Sequence, residues 1–261
     1  MHNFDFVKPS TVAEAVSALT RDEAMALSGG QTLMPTMKQR LAAPSVLVSL
    51  TGIAEMQGLR LEGRDLVIGA ATTHATVAAE AAKSFPALAA LAGGVGDPAV
   101  RNRGTIGGSL ANNDPAADYP AAVLGTGATV VTNAREIAAD DFFQGLFSTA
   151  LEEGEIITAV RFPVPERAGY AKFRQPASRF ALTGVFVAKG AGGVRVAVTG
   201  AGEDGVFRWA EAEAALSRNF AADALDGLSL SADGLIGDLH GTPAYRANLV
   251  KVMAKRAVAA S

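Results

Sequence analysis

The sequence predicts an α+β protein whose N-terminal part is of the α/β type. Three observations carry that expectation. Strand-like and helix-like segments alternate through the first third of the chain. Pro163 and Pro165 then mark a change of texture, after which two long apolar runs lie next to each other before helical spacing returns. Finally, 49% of the 261 residues are hydrophobic and only 19% are charged, the balance of a packed globular chain long enough for two domains.

The elements follow in order. Thr11 and Glu14 have the spacing of a capping box, with Val12, Val16 and Leu19 on one helical face behind it. Residues 24–27 read as a short buried strand that runs into a glycine pair and then a helix over 33–41. Residues 46–50 form another strand, and 59–61 and 66–68 flank a hairpin signal at Glu62, Gly63, Arg64 and Asp65. Helical sequence follows His74 and is split at Pro86. The stretch 93–120 holds nine glycines and prolines and reads as irregular. A helix at 121–124 and strands at 128–132 and 156–162 come next. Beyond the prolines, 181–188 and 194–199 read as adjacent strands joined at 189–193, and 208–216 has helical spacing. An amphipathic helix starts at Pro243, with Leu249, Val252, Met253 and Arg256 on recurring turns. This last part is an antiparallel sheet with helices.

Several function classes are disfavoured. The formal net charge is −3, with no basic excess to track phosphates, so nucleic acid is not an expected partner. There is no cysteine, which removes disulfides, thiolate nucleophiles and iron–sulfur ligation, and fits a reducing cytoplasm. Residues 1–6 lack the start of a secretory signal, and no apolar run reaches the ~18 residues of a transmembrane segment. The expectation is a soluble, cytoplasmic protein. Phosphate-loop, zincin and nucleophile-elbow motifs are missing. His2, His74 and His240 are far apart, and His74 is expected to cap a helix or face solvent. Asp140 with Asp141, and Glu152 with Glu153, read as solvated turns. No catalytic residue and no metal ligand set emerges.

Two glycine loops remain among the 28 glycines. Ser28, Gly29, Gly30, Gln31 and Thr32 follow a strand and lead into a helix at Leu33. Consecutive glycines let backbone N–H groups converge into a nest for anionic oxygens, and a helix start adds favourable partial charge. Alone, this is also an ordinary strand-to-helix turn. Thr105, Ile106, Gly107, Gly108 and Ser109 repeat the design about seventy-five residues later, with the polar residues Asn112, Asn113, Asp114 and Asp118 close behind. Two such nests fit a diphosphate held from both sides. Neither has the G-x-G-x-x-G spacing of an ordinary dinucleotide fold.

Residues 28–35 (SGGQTLMP) and, over a longer and more specific stretch, 97–118 (DPAVRNRGTIGGSLANNDPAAD) resemble the two FAD loops of the flavoprotein subunits of molybdenum hydroxylases. Residues 170–172 and 176–180 resemble the link into the C-terminal domain of these proteins, and 196–202 (VAVTGAG) resembles that domain. The resemblance implies a PCMH-type FAD-binding domain over 1–167, with subdomains of about 1–52 and 53–167, and a small C-terminal domain over 168–261. It implies that Ser28, Gly29, Gly30, Gln31, Thr32 and Leu33, with Thr105, Ile106, Gly107, Gly108 and Ser109, hold the diphosphate of FAD. Asn112 and Asp118 would lie near the ribityl and phosphate groups, and Val95, Gly96 and Ile157 near the isoalloxazine. Phe180 stands where the carbon monoxide-oxidising members have a tyrosine, and Lys172 matches a lysine nearby. FAD is expected to be non-covalent, since Gln31 stands where a histidine would be needed. The implied partners are a large subunit with the molybdenum cofactor and a small subunit with [2Fe–2S] clusters, in a dimer of heterotrimers. The chain itself would be an electron-transfer subunit of an oxidoreductase. The alternatives are a self-sufficient flavoprotein oxidase of the same type and a non-catalytic assembly protein.

Overall fold

The computed structural model describes residues 1–261. The chain opens with β1 (Asp5–Val7), α1 (Val12–Leu19), β2 (Ala24–Leu27), α2 (Leu33–Lys38) and β3 (Val46–Ser49). Thr11 caps α1, its hydroxyl accepting from Glu14 N. The reciprocal bond differs from a standard capping box: the Glu14 carboxylate accepts from Ser10 N at 2.7 Å. The three strands form a parallel sheet in the order β1-β3-β2, and all four residues of β3 are buried.

The middle of the chain comprises β4 (Leu59–Glu62), β5 (Asp65–Gly69), α3 (His74–Glu80), α4 (Pro86–Gly93), α5 (Pro98–Arg101), α6 (Ile106–Asn112) and α7 (Tyr119–Thr126). There follow β6 (Thr129–Thr132), β7 (Glu136–Ala138), α8 (Ala139–Phe142), β8 (Phe143–Gly145), β9 (Ser148–Thr149) and β10 (Ile157–Pro163). An antiparallel sheet of order β4-β5-β10-β6-β7 results, with β8 and β9 as a separate hairpin. The stretch 93–120 is therefore not irregular. Asp97 and Thr105 cap α5 and α6 with their side chains, and Asn113 ends α6 in the left-handed conformation at φ +43°. Helices of four and seven residues are too short to show a period, and the two glycines of α6 hide its propensity. Asp140 and Asp141 lie in α8 rather than in a turn, and Asp140 pairs with Arg195 at 2.5 Å.

The last part contains β11 (Arg167–Arg174), β12 (Ala181–Gly190), β13 (Gly193–Gly202), β14 (Gly205–Arg208), α9 (Ala210–Arg218) and α10 (Pro243–Ala259). The four strands form an antiparallel meander. Residues 170–172, read as a link, lie in edge strand β11, and Arg208 ends β14 rather than opening the helix. Alternation divides β12 between two cores. Phe186 and Ala188 join the core formed with α4, α7 and the middle sheet, whereas Val185 and Val187 join a second core under α9 and α10. No helix is long and apolar enough to cross a membrane.

Candidate functional site

The segment that leaves β5 grips the second glycine loop. Gly107 N donates to Ala70 O at 2.9 Å, Ile106 N to Thr72 O at 3.2 Å and His74 N to Gly104 O at 2.9 Å. Thr105 Oγ1 accepts from Gly108 N and lies 2.7 Å from Ser28 Oγ, joining the second loop to the first. A Cβ on Gly29 would stand 2.1 Å from Arg103 O, and one on Gly107 would stand 2.6 Å from the Ala70 Cβ. Both glycines are thus required by contact between chain segments, not by room for a ligand. Thr105→Val removes the cap of α6 and the bridge to Ser28 together. It is expected to lower stability by about 1–2 kcal/mol in urea unfolding and to loosen the first loop.

That contact leaves the first loop with free donors. Gly30 O and Thr32 O accept from Met34 N and Thr36 N to start α2, yet the N–H groups of Gly29, Gly30, Gln31 and Thr32 meet no acceptor in the chain. Thr32 has helical backbone angles, and its hydroxyl caps nothing. Four successive unpaired donors on the wall of one cavity form a nest for anionic oxygen.

The cavity measures about 590 Å³, within the range of organic-cofactor sites. Its wall contains Ser28, Gly29, Gly30, Gln31, Thr32, Leu33, Val95, Gly96, Thr105, Gly107, Gly108, Ser109, Asn112, Asp118, Ile157 and Phe180. Two of the expected residues are not on it. Ile106 is fully buried in the core. Lys172 stands behind Asp118, its Nζ 2.9 Å from Asp118 Oδ1, and both side chains are 4% exposed. Tyr170 completes this group, donating to Asp118 at 2.5 Å. Burial pushes the Asp118 carboxyl up, and the Lys172 ammonium and Tyr170 hydroxyl oppose that shift. Leu50, Met56, Val95, Ile156, Ile157 and Phe180 add apolar side chains to the same wall. Free N–H donors and apolar side chains around one cavity suit a dinucleotide bearing a flat ring, so the residues present fit FAD.

Sequence reasoning missed His74 and Arg101. His74 neither faces solvent nor caps α3: Thr73 is the cap, and His74 is 5% exposed on the cavity wall. Arg101 holds the turn at Val95 and Gly96, bonding both carbonyls at 3.0 and 3.1 Å. Burial and then the Arg101 charge lower the His74 pKa from 6.5 to about 4. Between these values the unfolded chain binds the extra proton, so stability rises with pH through this window and is lost as pH falls through it. Wild type is expected to lose about 3 kcal/mol more than His74→Gln between pH 6.5 and pH 4, read from urea unfolding at each pH.

A model described as the FAD binding domain in molybdopterin dehydrogenase matches residues 2–165. The chain belongs to this family. It is 37% identical to the carbon monoxide dehydrogenase medium chain of Afipia carboxidovorans, over 98% of this chain and 96% of the relative. It is 34% identical to the nicotine 6-hydroxylase medium subunit of Paenarthrobacter nicotinovorans, over 97% and 95%. Among solved structures, reconstituted carbon monoxide dehydrogenase from Oligotropha carboxidovorans matches with a TM-score of 0.88 at 32% identity, over 99% of this chain and 97% of the other. Quinoline 2-oxidoreductase from Pseudomonas putida 86 matches with a TM-score of 0.88 at 29% identity, over 99% and 96%. As a member of the molybdopterin dehydrogenase FAD-binding family, the chain has the family's α+β fold and is an FAD-binding subunit of an oxidoreductase.

Proposed function

We propose that this chain holds non-covalent FAD in the 590 Å³ cavity and serves as the electron-transfer subunit of a molybdenum hydroxylase. The observation that carries the reading is the run of unpaired N–H groups from Gly29 to Thr32, set against the Thr105–Ser109 loop by the Ser28–Thr105 bond. The diphosphate belongs on these donors, with Leu33 and Ser109 beside them. Asn112 and Asp118 flank the ribityl region, and Val95, Gly96, Ile157 and Phe180 enclose the ring. Ile106 and Lys172 act from behind the wall, Ile106 by seating α6 in the core and Lys172 by neutralising Asp118. Bound there, FAD supplies the redox chemistry that links [2Fe–2S] clusters on a small partner subunit, fed by a molybdenum-cofactor large subunit, to an external acceptor. The chain's own residues bind and orient the cofactor and keep water from its ring.

We read the division of labour as an FAD domain over 1–167 and a C-terminal domain over 168–261, in a cytoplasmic dimer of heterotrimers. The relatives are a carbon monoxide dehydrogenase medium chain and a nicotine 6-hydroxylase medium subunit, which supports assembly with other subunits. The test is the absorbance spectrum of the purified chain with FAD, followed by heat release. Flavin bands at about one FAD per chain, all released by heat, are expected for a preformed pocket. A chain left colourless by excess FAD, alone and with co-expressed partners, would refute the reading.

A further inference from the structure

The His74 side chain has no hydrogen-bond partner in the chain, although it stands on the wall of the cavity. Its Nδ1 is sealed and unpartnered. Its ring packs on that of Tyr119, with centroids 5.3 Å apart, and the Tyr119 hydroxyl is likewise buried without a partner. The opposite edge of the imidazole lies against Gly104, where a Cβ would stand 2.6 Å from Nε2. Gly104 is also what the first loop rests on, since a Cβ on Gly29 would be 2.7 Å from the Gly104 Cα. The imidazole lines the cavity with its Nε2 edge against Gly104, another wall residue, and Nε2, unlike Nδ1, is not sealed.

A neutral imidazole has one N–H and one lone pair. The Arg101 charge nearby and the burial of the ring hold it neutral. If the proton were on Nδ1, a donor would be sealed away from every acceptor, at a cost of about 1–3 kcal/mol. With the proton on Nε2, the sealed atom carries only a lone pair and the donor faces the cavity. No protein group there accepts it, which leaves the occupant of the cavity as its partner.

We propose that His74 donates a hydrogen bond from Nε2 to an acceptor oxygen of the bound cofactor, making it a cofactor-binding residue outside both glycine loops. This rests on the reading of the cavity as the FAD site. The test uses the full chain labelled with ¹⁵N-histidine, with the His74 resonance assigned from His74→Leu. Wild type should show the Nε2-protonated tautomer, and saturation with FAD should shift Nε2 more than Nδ1. His74→Leu should weaken FAD binding about fivefold, and His74→Gln, which keeps a side-chain N–H donor, should recover most of that loss. Riboflavin and ADP, titrated separately, locate the accepting oxygen: a loss confined to riboflavin places it on the flavin half, and one confined to ADP places it on a phosphate. An Nε2 that does not move on FAD saturation, or wild-type FAD affinity in His74→Leu, would overturn the contact alone. A wild-type chain that takes up no FAD would overturn the reading of the cavity and this contact with it.

Discussion

Lys172→Met lowers the unfolding free energy by about 3–5 kcal/mol, because it leaves the Asp118 carboxylate buried without its countercharge. Both side chains are 4% exposed, and the other hydrogen-bond partner of the Asp118 carboxylate is the Tyr170 hydroxyl, with the Arg174 charge as a lesser influence. The loss should appear in urea unfolding at pH 7 and shrink as pH falls, since protonating Asp118 removes the uncompensated charge. Adding Asp118→Asn to Lys172→Met should recover most of it, as neither charge then remains. The pair joins the segment before α7 to edge strand β11, so the cost is felt at the seam between the middle and last parts of the chain. A single variant as stable as wild type would show that the pair contributes nothing, as at a solvent-exposed site.

Gly29→Val is the second large effect. The new Cβ would stand 2.1 Å from Arg103 O and 2.7 Å from the Gly104 Cα, both backbone atoms that cannot rotate away. The loops must part, which misplaces the four free N–H groups relative to Thr105. An overpacking cost of about 1–3 kcal/mol is expected in stability, together with a drop of roughly 10–100-fold in FAD affinity by fluorescence titration. Gly192→Val is the control, since nothing lies within 4 Å of a Cβ there. Full FAD retention in Gly29→Val would mean that the loop contact does not organise the site.

Much of the architecture is written locally. The Thr11 cap, the strands at 24–27 and 46–49 and the 59–69 hairpin follow from side-chain spacing and turn residues, and the structure has them within a residue or two, although strand 24–27 is an exposed edge rather than buried. Strand β11 does not. Its pattern is half polar because it is an edge strand, and the residues that decide its role, Tyr170 and Lys172, bond to Asp118 more than fifty positions away. The helices within 93–120 were hidden for a related reason. Thr105 has an ordinary capping pattern, but what holds α6 in place is the set of bonds from Ala70, Thr72 and Ser28.

The glycine loops show the same division. Their pairs and flanking hydroxyls mark both loops from sequence alone, but only the first keeps free N–H groups; those of Ile106, Gly107, Gly108 and Ser109 are bonded within the chain. Only the tertiary structure decided that the loops meet, which of them keeps free donors, that Gly29 and Gly107 are needed for chain-to-chain contact, and that His74 lies on the cavity wall while Lys172 stands behind it. The physical reason is range: caps and turns are settled within about one helical turn, whereas free donors, burial and ion pairing depend on which distant segment packs against a group.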